Sequence, residues 1–428
     1  MISIIGVHAL EVLDSRGNPT VRAEVTLDNG AVGSATVPSG ASTGTREATE
    51  LRDNDSDRYS GNGVTKAVNN VNGEIANEIT GMDAYKQQTI DEAIIQLDGT
   101  AHKSRLGANA TLSVSIASMK AAANSRGIQL HAHLSELAGL GESIELPVPM
   151  FNILNGGVHA HGSTDLQEFM IAPVGVNNFR EALRAGSEIY HGLYELLQRM
   201  NIPTTVGDEG GFAPPDLTTR QALDYLIAAI EQAGYRPGQD VFIALDAAAS
   251  EFCNQGSYVL ERESRSLTAS QMVAEYRSLV QNYPIYSIED GMAEDDWAGW
   301  IELTRDLGQS VQIVGDDLFV TQSVYLRRGI KTGAANAILI KPNQVGTITE
   351  TLDAINEARA SQFGIVISHR SGETEDWTIA DLAVGVAAGQ IKAGAPARGE
   401  RTAKYNRLLL IESKLGDRAT YRGRQIIN

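Results

Sequence analysis

A single cysteine, Cys253, stands in a chain of 428 residues, so no internal disulfide can form and a reducing compartment is expected. Positive charge is scarce as well. Against 53 Asp and Glu there are 35 Lys and Arg, a formal charge of −18, which leaves no cationic surplus to replace counterions on nucleic acid or to hold an anionic membrane. Long apolar runs are missing: nothing approaches the ~18 residues of a membrane span. The opening MISIIGVHALEVLDSRG meets His8 and Glu11 without the basic and apolar regions of a signal peptide. These absences predict a soluble, cytoplasmic protein with no membrane span and no direct nucleic-acid partner. What is present is an ordinary globular composition, 42% apolar and 21% charged. At roughly 150 residues per domain the length predicts two or three domains, unless one large barrel absorbs most of it. The acidity poses a question, because such a chain repels anionic metabolites unless its site reverses the field locally.

The chain divides in two by pattern. From Ile4 to about Val37 it reads as strands: Thr20 to Leu27 alternates cleanly, and Asp28-Asn29-Gly30 is a hairpin signal before Ala31 to Val37. From about Val64 to Leu137 it reads as helix. Asn109 to Ala123 is rich enough in Ala, Ser and Met to predict a tightly packed buried helix. Strands followed by helices imply a small α+β domain over residues 1–138. Gly139-Leu140-Gly141, with Pro147 and Pro149 behind it, marks the boundary to a second domain over 139–428.

In that second part short apolar runs alternate with helical segments. The runs reach Asp246 (VFIALD), Glu289 (IYSIED), Asp316 (VQIVGD), Lys341 (AILIK), His369 (GIVISH) and Lys392 (QIK). The last four intervals are 27, 25, 28 and 23 residues, each the length of one strand plus one crossover helix. Runs such as AILI and GIVI are apolar throughout, as strands covered on both faces are. Each run meets an ionisable group that can do chemistry. In a closed α/β barrel the carboxyl ends of the strands gather on one face and carry the active site. Polar strand ends that merely reach solvent explain one such residue, but not six in succession.

Asp246, Glu289 and Asp316 form an all-oxygen donor set of the kind Mg²⁺ prefers. Without a cation three converging acids repel, and one takes a proton; the competing reading is three separate helix N-caps. Lys341 is expected opposite them, its pKa depressed by nearby cations, as a general base. His369, Arg370 and Ser371, with Lys392, suit a phosphate or carboxylate. Glu168, at the start of an apolar strand beside Gln167, and Glu209, in the loop Gly207-Asp208-Glu209-Gly210-Gly211, read singly as surface residues. Beside a metal and a lysine they become candidates for the acid partner. Gly40-Ala41-Ser42-Thr43-Gly44 matches the nucleophile elbow of serine hydrolases, but that reading leaves the strand-end acids without a role. His131-Ala132-His133 and His159-Ala160-His161 have zinc-like spacing and no third ligand nearby.

Longer stretches are more specific. DSRGNPTV (Asp14 to Val21), VPSGASTG (Val37 to Gly44), LNGGVHA (Leu154 to Ala160), LQEFMIAP (Leu166 to Pro173) and VGDEGGFAP (Val206 to Pro214) are followed by SIEDGMAEDDW (Ser287 to Trp297), LIKPNQVGT (Leu339 to Thr347), SHRSGETED (Ser368 to Asp376) and GQIKAGAPAR (Gly389 to Arg398). In content and order the chain resembles the enolase family, in its bacterial type. The resemblance implies an N-terminal α+β capping domain and a TIM-like barrel of β2α2(βα)6 type. It implies reversible dehydration of 2-phospho-D-glycerate to phosphoenolpyruvate with two Mg²⁺ per site. By position, Asp246, Glu289 and Asp316 would hold the first ion, and Ser42 would join the second with the substrate. Lys341 would be the base and Glu209 the acid, with Glu168 assisting and His159 on a mobile loop of the catalytic set. Gln167, His369, Arg370, Ser371 and Lys392 would grip the substrate.

The resemblance also implies a homodimer or homo-octamer, and secondary exposure at the cell surface as in some members. Two alternatives stand beside it: another Mg²⁺-dependent acid-sugar dehydratase of the wider superfamily, and an added role as a surface binder or as a scaffold in RNA-degrading assemblies. The chain departs from the family's usual pattern at Trp377, Pro215 and His161, none of them a ligand or proton carrier.

Overall fold

The alternation that suggested strands at the N-terminus does form them. The computed structural model describes residues 1–40, 46–141 and 144–427. Strands β1 (Ile4–Leu13), β2 (Pro19–Leu27) and β3 (Val32–Thr36) pair antiparallel in that order. Val21, Ala23, Val25 and Leu27 of β2 are buried because every second side chain faces the core. Against the sheet lies helix α2 (Ala108–Ser125), and α1 (Gln87–Asp98) and α3 (Leu130–Leu137) pack on α2.

Helix α2 is buried from Ala108 to Ala123. Its small side chains let β3 approach so closely that a Cβ on Gly33 would lie 2.2 Å from the Ala117 carbonyl oxygen. Polar residues of α2 reach the second unit instead of water: Thr111 donates to the Gly346 carbonyl (2.8 Å), Ser115 Oγ accepts from Ile348 N (3.0 Å), and Lys120 pairs with Asp376 (2.8 Å). A helix with this many polar residues can be buried because most of them find a partner, Ser118 Oγ being an exception.

The second unit is an eight-stranded closed barrel. Its strands, in order around the ring, are β4 (Val148–Asn155), β5 (Glu168–Ala172), β6 (Phe242–Asp246), β7 (Ile285–Glu289), β8 (Gln312–Gly315), β9 (Ala337–Ile340), β10 (Gly364–Ser368) and β11 (Gly389–Lys392). Strand β5 runs antiparallel to both neighbours and the others run parallel. Helices α4 (Phe179–Arg199) and α5 (Thr219–Gln232) together follow β5, and one helix follows each later strand: α6 (Ala269–Asn282), α7 (Trp297–Leu307), α8 (Ser323–Thr332), α9 (Ile348–Ala360), α10 (Thr378–Gly385) and α11 (Gly399–Leu415). This is the β2α2(βα)6 arrangement. Val148, Met170, Ala244, Val314, Leu339 and Val366 fill the barrel interior. No helix among the described residues is long and apolar enough to cross a membrane.

Candidate active site

Five consecutive parallel strands present Asp246, Glu289, Asp316, Lys341 and His369 at the same rim, each the last residue of its strand or the next one, and Lys392 ends β11. Glu168 opens its strand yet joins them. Because β5 is antiparallel, its first residue lies level with its neighbours' last, and Glu168 pairs in register with Asp246. Glu209 arrives from the loop between α4 and α5. That loop closes on itself through Gly207 N to Gly211 O (2.8 Å), and a Cβ at Gly207 would sit 2.7 Å from the His159 carbonyl oxygen. The glycines therefore let the loop press against the barrel and present Glu209.

One expectation is corrected by the ring. Lys341 does not face the acid trio: β9 adjoins β8, and its ammonium donates to Asp316 Oδ2. What lies diametrically across from β9 is β5, with Glu168. The Lys341 pKa moves opposite to expectation too. Burial alone would lower it, but the carboxylates around it, Asp316 first and then Glu289, together raise it.

Lys392 stands among the acids, 2.8 Å from Asp246 Oδ2, 2.8 Å from Glu289 Oε1 and 3.2 Å from Glu168 Oε1. These three carboxylates outweigh burial and push its pKa well up. Burial, reinforced by Asp246, pushes Glu289 well above the ordinary carboxylate range. Burial and the Glu209 charge do the same to Glu168. Glu209 goes the other way: despite burial, His369, His159 and Arg401 hold it well below that range. So two buried acids, with His159 between them at 3.7 and 3.8 Å, are driven apart in proton affinity.

Among the described residues, Glu168 Oε2 and Glu289 Oε2 are buried acceptors with no hydrogen-bond partner. Open acceptors in an all-oxygen set beside Asp246 and Asp316 fit a hard divalent cation such as Mg²⁺. Two other groupings of potential ligand atoms occur among the described residues. His159, Glu168 and Glu209 form one, and Asp290, Asp316 and Asp317 the other. In the second, Asp290 is spent on the backbone, accepting from the amides of Asp316 and Asp317, both at 2.9 Å. The His-x-His pairs form no zinc site: His161 is exposed, and His133 Nδ1 lies 3.2 Å from Arg126.

The structure brings Gln167, Glu168, His159, Glu209, Asp246, Asp316, Lys341, His369, Arg370, Ser371 and Lys392 around one pocket, with Glu289 buried beside Lys392. Ser42 lies outside the described residues. A cavity of about 720 Å³ lies elsewhere, between the N-terminal sheet and residues 373–377, and holds no such convergence.

Sequence reasoning missed two residues of the rim. Glu47 accepts from Arg370 Nη1 at 2.8 Å. Gln344 Nε2 donates to Asp316 Oδ1 (3.0 Å) and Glu47 Oε1 (3.4 Å), while Thr321 donates to its oxygen at 2.6 Å. The only signal was position, since Gln344 lies inside LIKPNQVGT and Glu47 just past VPSGASTG.

Comparison with known families agrees with this geometry over nearly the whole chain. Residues 4–134 match the family described as the enolase N-terminal domain, and residues 143–428 match the enolase C-terminal TIM barrel domain. The chain belongs to the enolase family.

Proposed function

We propose that the chain interconverts 2-phospho-D-glycerate and phosphoenolpyruvate, with Lys341 as base and Glu209, assisted by Glu168, as acid. The observation that carries this reading is the diametric placement of β9 and β5 in the ring of eight. A small substrate between them meets an amine on one side and carboxyl groups on the other. Taking a proton from C2 and a hydroxyl from C3 on opposite sides requires that arrangement.

A proton next to an ionised carboxylate is very weakly acidic, so the ene-diolate that follows its removal needs strong charge stabilisation. A Lys or His base acting together with Mg²⁺ is the established pattern of the enolase superfamily. Asp246, Glu289 and Asp316 would hold Mg²⁺, with a second ion beside the substrate; the ions would supply that positive charge and would engage the Asp316 carboxylate that otherwise keeps Lys341 protonated.

The chain's own groups do the rest. Lys341 Nζ, once neutral, takes the C2 proton, and the electrons of the C2–H bond form the C1–C2 double bond of the ene-diolate; in a second step they move to make the C2–C3 double bond as the C3–O bond breaks. Glu209 delivers a proton to the departing hydroxyl, which leaves as water. That proton comes from Glu168, which burial keeps protonated, because His369, His159 and Arg401 hold Glu209 itself ionised; it crosses the short gap that His159 spans as the hydroxyl departs. Gln167, Arg370, Ser371 and Lys392 hold the substrate's carboxylate and phosphate, and Arg370 exchanges Glu47 for that anion. Lys341, Arg370 and Lys392 thus line one part of the mouth with positive charge, which is how a chain of charge −18 admits a small anion.

The purified protein in millimolar Mg²⁺ is expected to convert 2-phosphoglycerate to a product absorbing as an enol phosphate, and no product would sink the reading. Lys341→Ala should abolish exchange of the C2 proton with solvent. Glu209→Gln should keep part of that exchange while losing dehydration by about 10²-fold or more. Normal exchange in Lys341→Ala would remove the base assignment.

A further inference from the structure

Arg401 sits in the first turn of α11, fully buried at 0% exposure, and has no part in the chemistry above. Its guanidinium joins two pieces of the mouth. Nη1 donates to His369 Nδ1 at 2.7 Å and to the Arg370 carbonyl at 2.6 Å. Nη2 donates to the carbonyls of Ser371 at 2.5 Å and Asp208 at 3.1 Å. One side chain therefore ties the end of β10 to the loop that carries Glu209.

The contact with His369 has a chemical consequence. A guanidinium has donors and no acceptor, so the nitrogen it meets must be the bare one. In a neutral imidazole the hydrogen then resides on the other nitrogen. That nitrogen, Nε2, lies 3.2 Å from Glu209 Oε2. We propose that Arg401 is a positioning residue that sets the tautomer of His369 and so places the ring hydrogen on Nε2, the nitrogen nearest the Glu209 carboxylate. In the opposite tautomer an N–H would meet the Arg401 guanidinium, donor against donor, and the Nε2 lone pair would face the Glu209 carboxylate, and both contacts repel. Burial keeps the imidazole neutral down to about pH 4, so the tautomer is the relevant choice over the working range. The consequence for catalysis rests on the hydratase reading; the tautomer does not.

The test is nitrogen NMR of the full chain labelled at histidine, with the His369 signals identified from their loss in His369→Gln. The wild type should show a protonated Nε2 and an unprotonated Nδ1. Arg401→Met should shift His369 toward the other tautomer or a mixture. Arg401→Lys, whose ammonium also only donates, should largely restore the wild-type pattern. On the reaction, Arg401→Met should lower kcat about 10²-fold with KM changed little and C2 proton exchange retained. A wild-type His369 carrying its hydrogen on Nδ1 overturns the proposal, and so does an unchanged pattern in a folded Arg401→Met. If that variant does not fold, the wild-type and Arg401→Lys spectra decide alone. A correct tautomer in a protein without hydratase activity would overturn the functional reading and leave this one standing.

Discussion

Two buried charge networks serve this molecule, one at the barrel mouth and one at the joint between the N-terminal unit and the barrel. At the joint both oxygens of Asp376 and of Asp381 are used. Asp376 accepts from Lys120 Nζ at 3.0 and 2.8 Å and from the amides of Thr36 (3.1 Å) and Thr378 (2.9 Å). Asp381 takes a two-pronged contact from Arg407, both at 2.7 Å, and the His131 amide at 3.1 Å. At the mouth, by contrast, one oxygen each of Glu168 and Glu289 has no partner among the described residues. Burial and residue types are much alike in the two places. The difference lies in unused carboxylate oxygens: at the joint the described groups without a partner are neutral ones such as Ser118 Oγ and Gln87 Oε1, which cost less to bury than an open carboxylate. A binding site keeps open carboxylate oxygens for its ligand.

The strongest way to break this comparison is to neutralise one acid in each network. Asp376→Asn should lose about 3 kcal/mol or more of unfolding free energy in chelator, because Lys120 is left buried without its counter-charge. Glu289→Gln should lose little or gain under the same conditions, since Asp246 already disfavours its charge. Added Mg²⁺ should then stabilise the wild type and Asp376→Asn, as binding to the folded state alone must. It should do much less for Glu289→Gln. Equal losses in urea unfolding, or equal gains with Mg²⁺, would erase the distinction.

The two networks were not equally legible in the sequence. Asp246, Glu289, Asp316, Lys341, His369 and Lys392 stood out because strands covered on both faces are apolar to their ends, so the ionisable residue that stops each run is conspicuous. Glu168 was harder, because its rim position depends on β5 being antiparallel. The place of Lys341 was misjudged for the same reason: the rhythm showed six strands, and the two that close the ring, β4 and β5, lack the βα interval. Glu47, Gln344 and Arg401 act through contacts that exist only after the chain closes over the barrel. No local pattern encodes such pairs, and the joint's partners, Lys120 and Asp376 among them, were invisible likewise.

A smaller effect sharpens the joint's side of the comparison through pH. His133, on the α3 helix that docks against Asp381, has its pKa lowered to about 4 by burial and by Arg126. The unfolded chain takes up that proton near 6.5, so between 6.5 and 4 the unfolded state binds more protons. Stability is thus fully present above 6.5 and lost as pH falls toward 4, by up to about 3 kcal/mol. His133→Gln should flatten that part of the profile, measured as urea midpoint against pH. An unchanged slope would mean His133 is protonated at no cost in the folded state.

The smallest expected effect concerns Trp377, where the family usually carries a small residue. Its ring lies between two cations of the joint, with Lys120 Nζ 4.8 Å and Arg407 Cζ 4.2 Å from the centroid. Both cations are already paired with carboxylates, so the indole adds a second, weaker attraction on each rather than a missing counter-charge. Each such contact is worth about 0.5–1 kcal/mol near the surface. Trp377→Ala should therefore cost roughly 1–2 kcal/mol in urea unfolding and leave turnover at the distant mouth unchanged. Trp377→Phe, which keeps an aromatic face, should recover part of the loss, and Trp377→Leu, which keeps only apolar bulk, should recover less. If leucine restores as much as phenylalanine, the ring acts by packing alone, and the joint is then held by its saturated carboxylates without help from the π face.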